Sequence, residues 1–453
     1  MNDNVHYPIA QRGMGSSFER VVKIDWILLG ATIVIVIVGN LMVHSTEVGS
    51  SSAYVLRQMV ASLIGLMGLI FFAVLPYQIF RTYVKPIYLF MLIVLVLVLV
   101  VGENLRGTKG WFRLGPVYLQ ASEIARLTFV LSLAGYLDRR IQWFSPKSLI
   151  VPFTLAMIPI GLILIQPDLS SSLVFFPMTL LMFYLAGART LHLLSICLVG
   201  GLAAGIPLLS TYFDLMSETV KNHIVLGYLA KSLKSGWEGF YLFSGVCLFL
   251  TGFWWFLREM RIYIPSTYLW VTLFLIGLGT AGALVSDKAL KQYQRKRLVA
   301  FINPDIDPLG SGYNVKQSQI AVGSGRVLGK GYRKGTQSRL GFLPSRHTDF
   351  IFSVVGEEFG FIRSLLVCGF YFLIAWRGFE IALLSRDRFG SLVAAGFGAQ
   401  FAFYFILNLG MTMGMAPVAG VPLPLVSYGG SSMVSSLVAI GILLSIHWRR
   451  HLL

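Results

Sequence analysis

The sequence predicts an all-α polytopic membrane protein, and three observations carry that reading. Hydrophobic residues make up 56 % of the chain and charged ones 13 %, with a mean hydropathy of +0.73. The apolar residues fall in runs of about twenty, the length that crosses a bilayer core as a helix. One long polar stretch, residues 287–350, stands apart from them. From Ser286 to Phe350 it carries twelve Lys or Arg against four Asp.

Taken in order, residues 1–23 form a polar, basic tail. Spans are expected at 24–44, 55–75, 84–102, 120–137, 148–165, 169–187 and 190–209, a first half of seven. The stretch 210–265 is polar at first and then holds one more apolar run, 238–257. A span at 266–286 leads into the long loop, and three more (351–376, 388–409, 431–448) complete about twelve before the chain ends at Leu453. With the N-terminus placed in the cytoplasm, each short loop on that side is basic: Arg81 with Lys85, Arg139 with Lys147, Arg189, Arg258 with Arg261, Arg377 with Arg388, and Arg449 with Arg450. That is the positive-inside pattern, and it sets both termini inside. A long external loop is exempt from the rule, so its excess charge is better explained by an anionic ligand. The formal charge of +17 does not point to nucleic acid, because no soluble basic domain exists to hold it. The three cysteines lie in apolar runs without metal-ligand spacing and predict neither disulfide nor metal. The first apolar run has charged flanks and no small-residue cleavage site, and it reads as a retained span.

Four polar stretches fall on the external side: 103–126, 166–172, the long loop and 408–432. In the first, Lys109, Trp111 and Arg113 suit either interfacial anchoring or substrate contact. Glu123 and Arg126 then enter a span three residues apart, on one helix face, either as an ion pair or as functional charges. Asp168 follows Gln166-Pro167 in a very short turn and suits an N-cap. In the loop, 303–312 reads NPDIDPLGSG, a dense turn signal in which Asp307 precedes proline and is held extended. The glycines at 323, 325, 329 and 331 could let backbone approach phosphate, but they match no phosphate-binding fingerprint. Glu357 and Glu358, at the start of a span, suit the helix dipole. His347 has no partner at metal-ligand spacing, and no metal site is expected. The uncharged stretch from 408 to 432 suits a re-entrant hairpin lining a site.

The motifs QASEIAR, QPDLSSS, NPDIDPLGSGY, GTQSRLGFLPSRHTDFIFSVVGEEFGF and PLPLVSYGGSS, in this order, resemble those of the SEDS family (FtsW, RodA and SpoVE). The resemblance runs from about residue 24 to the end and is stronger to the RodA branch, on Asp25-Trp26, GTQS and GVPLPLVSYGG. The family pattern has QPSE where Gln120-Ala121-Ser122-Glu123 stands, often Lys at Arg126, and Gly at Ser170. The stretch 210–265 reads as an insertion into the family's usual ten-span plan. The resemblance implies a peptidoglycan glycosyltransferase of the bacterial cytoplasmic membrane that polymerises lipid II outside it. Its substrates would be lipid II and an undecaprenyl-pyrophosphate-linked glycan. Its partners would be a class B penicillin-binding protein, which is the transpeptidase, and the elongation machinery. A division-specific role, or a lipid II flippase, is the alternative. Asp307 matches the family's essential aspartate and is the candidate general base. The candidate substrate-binding set is Lys109, Trp111, Glu123, Arg126, Arg295, Arg297, Lys316, Lys330, Gln337, Ser338, Arg339 and His347. A divalent cation (Mg or Mn) could help neutralise the leaving pyrophosphate.

Overall fold

The computed structural model describes residues 24–47, 53–105, 107–115, 117–139, 146–215, 236–261, 265–289, 301 and 310–450. The chain is an all-α polytopic membrane protein. Among the described residues, helices of seventeen residues or more coincide with each of the twelve apolar runs. In chain order they are α1 (Trp26–Thr46), α2 (Ala53–Val74), α4 (Val84–Val101), α5 (Ala121–Asp138), α6 (Pro146–Ile165), α7 (Leu169–Leu185), α8 (Thr190–Leu215), α9 (Gly236–Glu259), α10 (Ser266–Ala289), α13 (Ile351–Leu384), α14 (Arg388–Thr412) and α15 (Gly430–Arg449). The short α3 (Gln78–Thr82) turns the chain between α2 and α4. Seven of the long helices (α1, α2, α4, α8, α13, α14 and α15) are long and apolar enough to cross a membrane by length and composition.

Local chemistry fixes several helix ends. Asp25 caps α1 by accepting from the Leu28 N–H at 3.0 Å, and Asp387 caps α14 by accepting from the Gly390 N–H at 3.1 Å. The expected cap at Asp168 is present as well. It accepts from the Ser171 N–H at 3.1 Å at the start of α7.

α15 lies at the centre and is buried along most of its length. α2 packs on it through reciprocal small residues: Gly65 sits against Leu437, and Gly441 sits against the backbone of Leu69. Side chains that small let two helices approach closely where lipid provides no hydrophobic drive for association. α13 packs against α14 and α1, and α14 against α5 and α7. α8 packs mainly on α10, which also meets α9. The outward faces of α2, α4, α9 and α10 expose large apolar side chains such as Leu63, Phe71, Phe90, Phe249 and Phe274, as a lipid-facing surface should.

Two polar stretches contain structure that a loop reading does not anticipate. Between α4 and α5 the chain forms a three-stranded antiparallel sheet: β1 (Glu103–Leu105), β2 (Thr108–Leu114) and β3 (Val117–Gln120), in the order β1-β2-β3. The long loop, expected to lack obvious secondary structure, contains α11 (Ser311–Ser324) and the short α12 (Thr336–Arg339). α11 is polar and shows little amphipathic periodicity, so tertiary contacts hold it. The Ser318 hydroxyl bonds Ser353 Oγ and the Thr412 carbonyl, both at 2.6 Å, and Val315 joins Leu343, Phe350, Met411 and Val418 in a small separate core.

The molecule has two polar ends. At one, the sheet meets the α6–α7 turn (Lys109 N–H to the Gln166 carbonyl, 3.3 Å), and the segment after α14 meets α2 and the long loop. At the other, Arg81 pairs with Asp138 at 2.7 Å, Tyr77 bonds Asp387, and Arg377 pairs with Asp25 at 2.6 Å.

Candidate functional site

Three groups of residues build the first polar end. The innermost surrounds Glu123 and Arg126, one turn into α5. Their i,i+3 spacing brings them together as a buried ion pair. Glu123 also accepts from the Ser435 hydroxyl of α15 at 2.6 Å. The Arg126 guanidinium lies over the Tyr404 ring of α14, 4.6 Å from its centroid. Gln400, one turn away on α14, and Ser432 and Ser436, near Ser435 on α15, are buried with oxygens that have no hydrogen-bond partner among the described residues, and Arg126 Nε is in the same position. Unsatisfied polar atoms of this kind are expensive in a packed interior and mark a place where water or a ligand group fits.

Asp168 extends this group outward and does more than cap. Besides the Ser171 N–H, it accepts from the hydroxyls of Ser170 at 2.8 Å and Ser171 at 2.7 Å, and from the Gln120 amide at 2.9 Å. Gln120 stands directly across the sheet from Trp111. Trp111 is half-buried and donates its indole N–H to Thr108 Oγ1 at 3.2 Å. Lys109 is half-buried on the same strand. The sheet thereby connects the Trp111 strand to the buried carboxylates.

The second group is centred on Glu357, which is fully buried. The expectation that it supports its own helix dipole is corrected: it lies in the second turn of α13 and caps a different helix. Its carboxylate accepts from the backbone N–H groups of Gln337 at 2.9 Å and Ser338 at 3.0 Å, at the start of α12. Lys330 Nζ bonds it at 2.7 Å and also reaches Thr336 Oγ1 at 2.7 Å. Three expected ligand contacts (Lys330, Gln337 and Ser338) are thus held around one carboxylate. The Lys330 ammonium is engaged there and stays partly exposed. α12 ends at Arg339, which is exposed.

This arrangement depends on a break in α13 at Gly360, where φ is +74° and ψ −176°. Beyond the break, the Phe361 N–H bonds the Arg326 carbonyl at 2.9 Å and the Ile362 N–H bonds that of Val327 at 3.3 Å. Before it, the Lys330 and Gly331 N–H groups bond the carbonyls of Glu357 and Glu358, both at 3.0 Å. The 326–331 segment is thereby laid along the helix.

The third group is aromatic. His347 stacks on Tyr54 with ring centroids 5.3 Å apart, and Tyr428 meets both rings edge-on. Backbone bonds hold it in place. The Tyr428 N–H bonds the His347 carbonyl at 2.8 Å, the Ser427 hydroxyl bonds the Thr348 carbonyl at 2.7 Å, and Gln58 bonds both Ser427 and Gly429 at 3.2 Å. Residues 413–429 are irregular and largely buried, in keeping with an uncharged hairpin that needs protein around it.

Lys316 is exposed on α11. Asp305, Asp307, Arg295 and Arg297 lie outside the described residues. Among the described residues, Lys109 and Trp111 make no hydrogen bond to the 330–347 group. Sequence reasoning did not single out Arg346, Tyr54, Gln58 or Tyr428. Arg346 is half-buried, pairs with no carboxylate among the described residues, and burial lowers its pKa. Its position in the SRHTDF motif was the available signal; its desolvation was not visible.

The family model described as a cell cycle protein, FtsW/RodA/SpoVE, matches residues 19–252 and 256–452. The chain belongs to this family. It is 32 % identical over 434 residues to the peptidoglycan glycosyltransferase RodA of Treponema pallidum, covering 94 % of this chain and 98 % of that one. It is 30 % identical to the peptidoglycan glycosyltransferase MrdB of Escherichia coli, covering 95 % and 96 %. Among solved structures, it matches a chain from a peptidoglycan synthase complex that coordinates polymerization and crosslinking, with a TM-score of 0.62 and 27 % identity over 95 % of this chain and 99 % of that one. It also matches the rod shape determining protein RodA of Thermus thermophilus, with a TM-score of 0.57 and 25 % identity over 95 % and 98 %.

Proposed function

We propose that the chain is a peptidoglycan glycosyltransferase of the RodA type, which polymerises lipid II into glycan strands for cell elongation. The observation that carries this reading is end-to-end similarity to proteins of that activity, at 94–98 % coverage of both chains. The polar end supports it. Cations, aromatic rings and buried carboxylates gather where a lipid-linked sugar pyrophosphate would present its head group.

In the proposed reaction the acceptor sugar's 4-hydroxyl attacks the anomeric carbon of the donor as the bond to undecaprenyl pyrophosphate breaks. The donor is α-linked and the product β-1,4, so the step inverts. Asp307 takes the hydroxyl proton, a contribution typically worth about 10²–10⁴-fold. Lys316, Arg339 and Arg346, with Arg295 and Arg297, supply fixed positive charge to the departing pyrophosphate. Among the described residues no three His, Cys, Asp or Glu side chains lie together. A divalent cation (Mg or Mn) would add positive charge at the departing pyrophosphate. The partner is a class B penicillin-binding protein that crosslinks the strands. We place the chain in the bacterial cytoplasmic membrane with both termini inside and the site outside.

The test is polymer formation from lipid II by purified Asp307→Asn protein with its transpeptidase partner. Loss of about 100-fold or more is expected, and full retention would remove Asp307 from the chemistry. The buried polar residues around Arg126 favour a second reading, lipid II transfer across the bilayer. Polymerisation in detergent, where no second leaflet exists, separates the two.

A further inference from the structure

A groove of about 260 Å³ opens between α4, α5 and α6, in the half of α5 that lies away from the candidate site. Tyr88, Phe129, Leu133, Val151 and Leu155 give it an apolar wall. The Tyr88 hydroxyl is already engaged with the Leu155 carbonyl at 3.1 Å. Ser132 also lines the groove, is 4 % exposed, and has a hydroxyl without a hydrogen-bond partner among the described residues. Val84 and Tyr136 also line it, and Lys85, exposed at the start of α4, lines it and pairs with no carboxylate among the described residues.

The surroundings of Lys85 are basic. Arg81 lies one turn earlier, and Arg139 reaches the Arg81 carbonyl at 3.1 Å. Arg81 pairs with Asp138 at 2.7 Å. Lys85 is the cation that lines the groove itself.

We infer that this groove binds one acyl chain of an anionic glycerophospholipid, drawn from the leaflet on the basic face, with Lys85 at its phosphate. The apolar wall suits a hydrocarbon chain, and basic pockets between membrane helices suit anionic head groups. The volume lies below the roughly 300–1,000 Å³ of pockets that enclose whole small molecules. It therefore fits part of a chain. The Ser132 hydroxyl, buried and unpartnered, is placed to donate to an ester carbonyl. The site lies at the opposite end of α5 from Glu123 and Arg126, so it is separate from the proposed lipid II site.

The experiment uses the full chain, purified in mild detergent and offered equal amounts of dioleoyl phosphatidylglycerol and dioleoyl phosphatidylethanolamine, with retained lipid read by native mass spectrometry. Preferential retention of phosphatidylglycerol is expected. Lys85→Gln should lower it about fivefold, the factor for one lysine at an anionic surface, and leave phosphatidylethanolamine unchanged. Val151→Trp, which fills the groove from an exposed position, should lower both. Both substitutions are at exposed sites, and an unchanged melting temperature verifies folding. Equal retention of the two lipids by the unaltered chain, or retention insensitive to both substitutions, would overturn the assignment. The readout does not involve polymerisation, so it stands or falls apart from the proposed activity.

Discussion

At the scale of single residues, the deciding quantity is what a buried charge loses when its partner is removed. Arg126 sits among Glu123, Tyr404 and unpartnered hydroxyls with almost no exposure. Removing one member of such a pair costs about 3–5 kcal/mol, because the other charge stays buried. Arg126→Met is therefore expected to lower the melting temperature and to cut polymer formation at least tenfold. Arg126→Lys should retain most activity, since an ammonium can still reach Glu123 while losing the flat contact with Tyr404. Measuring both variants in one lipid II assay separates the need for charge from the need for a guanidinium. Glu357 is the second such residue. It holds two backbone N–H groups and Lys330, so Glu357→Ala should release α12 and cost a similar amount. Limited proteolysis with cleavage appearing near 330–340 would report that release, and an unchanged digest would refute it.

At the scale of elements, the break at Gly360 organises the loop. A Cβ there would lie 2.1 Å from the Gly329 nitrogen, and φ of +74° is strained for any other residue. Gly360→Ala is expected to lower the melting temperature by several degrees and to reduce polymerisation, because the 326–331 segment can no longer lie along α13. Gly369 provides the control on the same helix. Nothing lies within 4 Å of a Cβ there, so Gly369→Ala should be neutral or stabilising by roughly 0.5–1 kcal/mol. Equal effects at the two positions would count against a specific role for the break. The twelve apolar runs were legible because each helix is closed by its own i→i−4 bonds and needs only length and apolarity. The β1–β3 sheet and α11 were not, since both rest on contacts to distant residues such as Gln166, Ser353 and Thr412.

At the scale of the whole molecule, orientation follows from charge. Arg81, Arg139, Arg377, Arg388 and Arg449 gather at one end, and the sheet, the α6–α7 turn and the aromatic cluster gather at the other. If that basic end faces the cytoplasm, the α8–α9 connection falls outside. A cysteine placed at Gly236 should then react with a membrane-impermeant maleimide added to intact cells. Reaction only after lysis would overturn the twelve-span arrangement.

The sequence by itself determined the membrane class, the helix positions and the family, because apolar length and ordered motifs are properties of local residue order. Asp168 as a cap and Glu123 with Arg126 on one helix face were legible for the same reason: each depends on a spacing of three. The tertiary structure alone decided that Lys330, Gln337 and Ser338 converge on Glu357, and that His347 is sandwiched with Tyr54 and Tyr428. It also decided that Arg346 is left half-buried and, among the described residues, pairs with no carboxylate. Those outcomes depend on which distant backbone groups and rings a side chain meets, and that is fixed only when the helices pack and Gly360 lets the loop fold back.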